Sequence, residues 1–168
     1  MAINYKDCNV AAENMGDNGY CAPLALAVAA QVPFKKAHHV CRQHGRKTGR
    51  GTDVQIIRAA LKTMNFKINQ VAICKKWAHS ANHWFYGENV TKLEEAFPTV
   101  KTATSCTNLP KDKLFLVLVN GHIFTVKGGE VQDWTDGRKH HVVIVIEIEK
   151  QHTPTGKNAK RKAKRYGK

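Results

Sequence analysis

The stretch DNGYCAPLALAVAAQ (Asp17–Gln31) places one cysteine directly before an unbroken apolar run. Alanine and leucine favour helix, and Pro23 is tolerated in a first turn, where its missing N–H would have no partner anyway. The run predicts a helix from Cys21 to about Gln31. A helix with no polar face belongs at the centre of a fold. Cys21 then has two readings. It is a small hydrophobe in the core, as cysteine most often is, or a thiolate held where the unpaired amides and dipole of a helix N-terminus favour the anion.

Outward from that helix the chain divides into two halves of different character. Residues 1–20 read as polar and irregular. Phe34, Ala37, Val40 and Cys41 fall at helical spacing and predict a second helix to about His44. GRKTGRG (Gly45–Gly51) breaks the chain. Thr52 and Gln55 have the spacing of a capping box, and Val54, Ile57, Leu61 and Met64 extend a third helix over Thr52–Asn65. A strand is expected at Lys67–Cys74, then a polar and aromatic loop over Lys75–Glu88. Thr91 and Glu94 suggest the cap of a short helix that Pro98 ends. Beyond it, LFLVLV (Leu114–Val119), HIFTVK (His122–Lys127), EVQDW (Glu130–Trp134) and HVVIVIEIE (His141–Glu149) read as strands. Asn120–Gly121 and Gly128–Gly129 are two-residue hairpin turns. Helices followed by an antiparallel meander make an α+β domain over residues 1–149.

Composition bounds the class. The chain has 168 residues, 42% hydrophobic and 24% charged, which suits one globular domain with a real core. No apolar run approaches the ~18 residues of a membrane span, so no membrane partner is expected. The start MAINYKDCNV lacks a signal-peptide apolar region, which points to the cytoplasm or a particle assembled there. In such a compartment Cys8, Cys21, Cys41, Cys74 and Cys106 are expected as free thiols.

The net charge of +14 is uneven: from Lys150 onward there are eight Lys or Arg and no acid, which leaves +6 on residues 1–149. Residues 150–168 read as a disordered basic tail. Lys160, Arg161, Lys162, Lys164 and Arg165 are its candidate contacts to DNA or RNA. The competing reading is a solubilising tail.

A nucleophilic thiolate needs an imidazole in hydrogen-bond reach and an acceptor that orients the ring. His122 opens a strand just after a tight turn. If Gly128–Gly129 is a two-residue turn, Lys127 faces Glu130, Phe124 faces Asp133, and His122 faces Thr135. His122 and Asp133 are then diagonal neighbours on one face, about 7–8 Å apart at the backbone, a gap two side chains can close. Asp136 falls on the other face; a turn longer by one residue reverses that preference. The same alternation sends Trp134 away from Asp133, into the core.

GYCAPLALAVA, GHIFTV and VQDW, in this order, resemble the papain-like cysteine peptidase superfamily, above all compact forms such as the peptidases that trim bacteriocin leaders. QHGRKTGRGT and LPKDKLFLVLVNGHIFTVKGGEVQDW are similar to segments of small phage-encoded cysteine-peptidase-like proteins. The resemblance implies a papain-like fold with the nucleophile helix buried against a C-terminal antiparallel sheet. It also implies Cys21 as nucleophile, His122 as general base and acid, and Asp133 as orienter. A protein or peptide substrate follows, with no metal or organic cofactor. Papain relatives carry a glutamine about six residues before the cysteine to hold the oxyanion. Met15 stands there, which leaves Asn18 or Asn14 as donor. That departure keeps a second reading open: a catalytically idle papain-like scaffold acting as a nucleic-acid-binding or virion-associated protein.

Three further stretches carry alternatives. CKKWAHSANH (Cys74–His83), or Cys41 with His44, offers zinc-ligand types, but no second cysteine pair completes a zinc pattern. GRKTGRGT is either a solvated loop or an anion-binding one. KKWAHSANHWFYG covers the site, receives a substrate side chain, stacks bases, or packs over the core.

Overall fold

The computed structural model describes residues 2–151. Helix α1 (Tyr5–Asn14) is the first departure from the sequence reading, which left residues 1–20 irregular. It is capped by Asn4, whose side chain accepts from the Asp7 N–H, and it buries only Cys8 and Ala12. Two small buried side chains make too faint a stripe to read as helical periodicity. The other helices lie close to expectation: α2 (Cys21–Ala30), α3 (Phe34–Gln43) and α4 (Val54–Thr63). At α4 the cap is Asp53, accepting from the Gln55 N–H at 2.7 Å, and not Thr52. Thr52 instead accepts from Arg46.

In α2 every residue from Ala22 to Ala29 is buried. Its hydrogen-bond ladder starts at Leu24 N–H to Tyr20 C=O, so Pro23 sits where no N–H is required. The helix ends at Gln31, at φ 56°. The Gln31 side chain donates to Val28 C=O and Ile3 C=O and accepts from Ile3 N–H, pinning the start of the chain against the far end of α2.

Six strands form one sheet: β1 (Phe66–Ile73), β2 (Val90–Lys92), β3 (Leu114–Val119), β4 (His122–Lys127), β5 (Glu130–Gln132) and β6 (Val142–Lys150), in the order β2-β1-β6-β3-β4-β5. The C-terminal strands are antiparallel as expected, but the sheet as a whole is mixed, because β2, not anticipated as a strand, runs parallel to β1. A parallel neighbour needs a crossover, and residues 74–89 supply it. The meander holds for β3-β4-β5, but β6 turns back to pair with both β3 and β1. Its near-continuous apolar run suits such a central position, with both faces covered.

Alternate residues feed two cores. Leu116, Ile144, Ile146 and Ile148 pack under the helices. Phe115, Val117, Val119 and Val145 pack on the other face beneath Leu93, Val100, Ala103, Cys106 and Leu109. Each such fully buried side chain contributes roughly 1.5–3 kcal/mol relative to exposure. Helix α2 lies along β4, and the buried Thr125 hydroxyl donates to Ala25 C=O at 2.6 Å. No helix among the described residues is long and apolar enough to cross a membrane. Lys160, Arg161, Lys162, Lys164 and Arg165 lie outside the described residues.

Candidate active site

Cys21 is the first residue of α2 and is half-buried; His122 is the first residue of β4. The packing of α2 on β4 brings the Cys21 and His122 side chains together at the border of two shared cavities, close enough for the imidazole and the Ile123 and Ala22 N–H groups to act on the thiol. On the far side of the ring, His122 Nε2 lies 2.6 Å from Asp133 Oδ2. That leaves Nδ1 for the thiol.

The hairpin register is as expected, with Lys127 opposite Glu130 and Thr125 opposite Gln132. The ladder stops there. Strand β5 ends at Gln132, and Asp133 reaches His122 from the turn that follows. The same Oδ2 accepts from the Thr135 hydroxyl at 2.7 Å and the Thr135 N–H at 3.2 Å. Three donors thus fix one carboxylate oxygen in a residue only 2% exposed. Thr135 is a functional residue missed in the sequence. Its signal was the Asp-x-Thr spacing of an Asx turn.

Trp134 requires a correction. Alternation sent it into the core, but the chain has left the strand by then, so the period-2 rule no longer applies. Trp134 is 52% exposed, and its ring lies against the His122 ring with centroids 5.1 Å apart. There it covers part of the His122 ring.

The electrostatics separate Cys21 from the other buried thiols. Burial pushes Cys8 and Cys41 up to about 11 and Cys106 up to about 12. Burial also acts to raise Cys21, but the hydrogen bond and charge of His122, with the two backbone N–H groups, outweigh it and hold the thiol below its ordinary value. Burial acts to lower His122. The hydrogen bonds and charges of Asp133 and Cys21 overcome it and raise the imidazole to about 9. A lowered thiol against a raised imidazole moves the pair toward thiolate and imidazolium.

Two cavities flank the sulfur. One, of about 260 Å³, is lined by Asn9, Asn18, Gly19, Tyr20, Leu24, Asp133 and Trp134. The other, of about 250 Å³, is lined by Ala22, Thr52, Ile57, Leu118, Val119 and Ile123. Cys21, Gly51, Gly121 and His122 border both. Of the proposed oxyanion donors, Asn18 faces the first cavity; Asn14 is exposed at the end of α1 and lines neither. Asn9, on α1, lines the first cavity and was not anticipated. The Cys21 N–H lies in the first turn of α2, ahead of the ladder.

The Gly45–Thr52 segment is exposed at Gly45 and from Lys47 to Gly51, as a solvated loop would be, but one of its cations is not. The Arg46 side chain is buried in an ion pair with Asp17. The aromatic segment forms a 3-10 turn (Lys75–Ser80) and a short helix α5 (Ala81–Trp84), with Trp77 and Trp84 packed at 5.9 Å. Gln55 and Arg58 donate to its backbone carbonyls, and none of it lines either cavity beside Cys21. Among the described residues, no group of three or more His, Cys, Asp or Glu is gathered as a metal would require. Comparisons with family models, curated proteins and solved structures find no match to this chain.

Proposed function

We propose that the protein is a papain-like thiol hydrolase of peptide or isopeptide bonds. The observation that carries this reading is the His122 ring, bound through Nε2 to Asp133 Oδ2, standing with Cys21 at the border of two shared cavities. The Cys21 thiolate attacks the substrate carbonyl. The oxygen takes the negative charge beside the Cys21 N–H and an asparagine side chain. His122 gives its proton to the leaving amine, and a thioester remains on Cys21. Water then enters, His122 takes a proton from it, and the acid departs. Asp133 keeps the ring oriented and stabilises its charge. The apolar cavity receives an aliphatic side chain of the acyl segment.

The test is alkylation by iodoacetamide at neutral pH, read by mass spectrometry at each cysteine. Cys21 reacts well ahead of Cys8, Cys41 and Cys106, and His122→Ala slows it toward the rate of an ordinary thiol. Uniform labelling, or labelling indifferent to His122, refutes the hydrolase.

The charge of residues 150–168 supports a second role, binding of DNA or RNA, which is compatible with hydrolysis and is all that remains if the site is idle. It predicts an affinity that falls steeply with salt and disappears when residues 157–168 are deleted.

A further inference from the structure

We propose that Asp17 and Arg46 are positioning residues that set the substrate cleft beside Cys21, a role that rests on the hydrolase reading above. Both side chains are fully enclosed, at 0% exposure. The guanidinium meets the carboxylate in a two-pronged contact, Nη1 to Oδ2 at 2.7 Å and Nη2 to Oδ1 at 2.9 Å. His38 Nε2 closes the back of the pair, 3.1 Å from Oδ2.

What the pair holds is the cleft. Asp17 Oδ1 accepts from the Gly19 N–H and the Gly49 N–H, each at 3.0 Å. Gly19 lies two residues before Cys21, and Gly49 two residues before Gly51. Arg46 adds two more ties, Nη2 to Gly19 C=O and Nε to the Thr52 hydroxyl at 3.0 Å. One ion pair therefore clamps the approach to the nucleophile and the Gly49–Thr52 segment together as one wall of the cleft. The clamp is tight: a Cβ added at Gly19 would lie 2.6 Å from the Arg50 carbonyl oxygen.

Core packing alone does not require so specific a device. Replacing a buried ion pair with well-fitted apolar groups is often neutral for stability. A planar guanidinium supplies what they cannot, which is several donors in fixed directions. Gly19, Gly51 and Thr52, the residues so placed, line the cavities at the sulfur. A peptide laid along this wall is held at the attack distance, and a misplacement of about 1 Å costs on the order of 10²-fold in rate.

The experiment compares two electrophiles on Cys21 of the full chain. Iodoacetamide is small enough to need no wall; an acyloxymethyl ketone carrying Leu-Leu-Gly needs it. In Arg46→Lys the charge remains but the fork is lost. We expect its iodoacetamide rate to stay within about threefold while the peptidyl rate falls roughly 10–100-fold. His38→Gln, which keeps the ion pair and loosens its back without touching either cavity, gives a smaller loss of the same kind, and serves if Arg46→Lys does not unfold cooperatively. If both rates fall together, or neither falls, the positioning role is overturned. It is overturned too if the wild type gains nothing from the peptide while iodoacetamide labelling stays dependent on His122. Absence of His122-dependent labelling in the wild type marks failure of the hydrolase reading itself.

Discussion

Replacing Asp133 with asparagine is the sharpest perturbation of the site, because the structure lets it change charge with almost no change in shape. Oδ2 accepts from His122 Nε2, the Thr135 hydroxyl and the Thr135 N–H. In Asp133→Asn the amide oxygen takes that position, since three donors converge there and an NH2 group would face all of them. The orientation of the ring is kept and the carboxylate charge is lost. His122 stands at about 9 with Asp133 the leading cause raising it against burial. A hydrogen bond to a charged group contributes about 1.5–3 kcal/mol, which is roughly one to two pKa units. The imidazolium of the variant should therefore titrate one to two units lower than in the wild type.

A raised imidazole stabilises the fold fully below the unfolded histidine value, and that contribution is lost as pH rises through about 9. Wild type and variant should thus differ in stability most below pH about 6.5 and converge above pH about 9. The assay is an NMR titration of the labelled His122 ring in both proteins, with thermal unfolding at matched pH. A wild-type His122 that titrates near the ordinary histidine value, or a variant whose titration does not move, refutes the reasoning.

Thr125→Val cuts the buried tie from β4 to Ala25 C=O; it should lower stability by about 0.5–1.5 kcal/mol in urea unfolding and slow Cys21 alkylation, because the helix and the His122 strand lose their shared anchor. Trp134→Ala should leave the unfolding midpoint nearly unchanged, since the ring is 52% exposed, yet lower the peptidyl rate several-fold as the His122 ring loses part of its cover. In acid, two groups of the Asp17 cluster work in one direction. Burial acts to raise Asp17, but Arg46 and the Gly49 and Gly19 N–H groups hold it down at about 2; burial lowers His38. Folded-state values below the unfolded ones mean stability is lost as pH falls, first below the ordinary histidine range and then from about pH 4 toward 2. A melting temperature that holds flat from pH 7 to 3 would contradict this, and Asp17→Asn should shallow the descent.

The parts of this protein legible in its sequence were those carried by local pattern. LFLVLV and HIFTVK became β3 and β4 at the expected bounds, since alternation and a tight turn fix them together. His122 and Asp133 could be paired because a two-residue hairpin sets every register position around it. The misreadings occur where local rules lapse. Trp134 was sent inward by alternation continued one step past the last strand residue. VTK is too short a strand to announce itself, and it pairs with β1 only through a crossover. Arg46 looked like one cation among several in a glycine-rich loop, because nothing near it in the chain reveals the buried Asp17. That partner lies 29 residues away, and only the packing of α3 against α2 brings them together.

Helix α2 is buried along nearly its whole length and secured at both ends, by the Cys21 contacts at one and the Gln31 clamp at the other. An inhibitor or regulator could not displace such a helix without dissolving the entire molecule. Control of the thiol must therefore come from pieces that rim it, the Gly45–Thr52 segment or the Asp133–Thr135 turn. Those rims are also where an engineer seeking altered selectivity has room to work, while the helix behind them tolerates almost nothing.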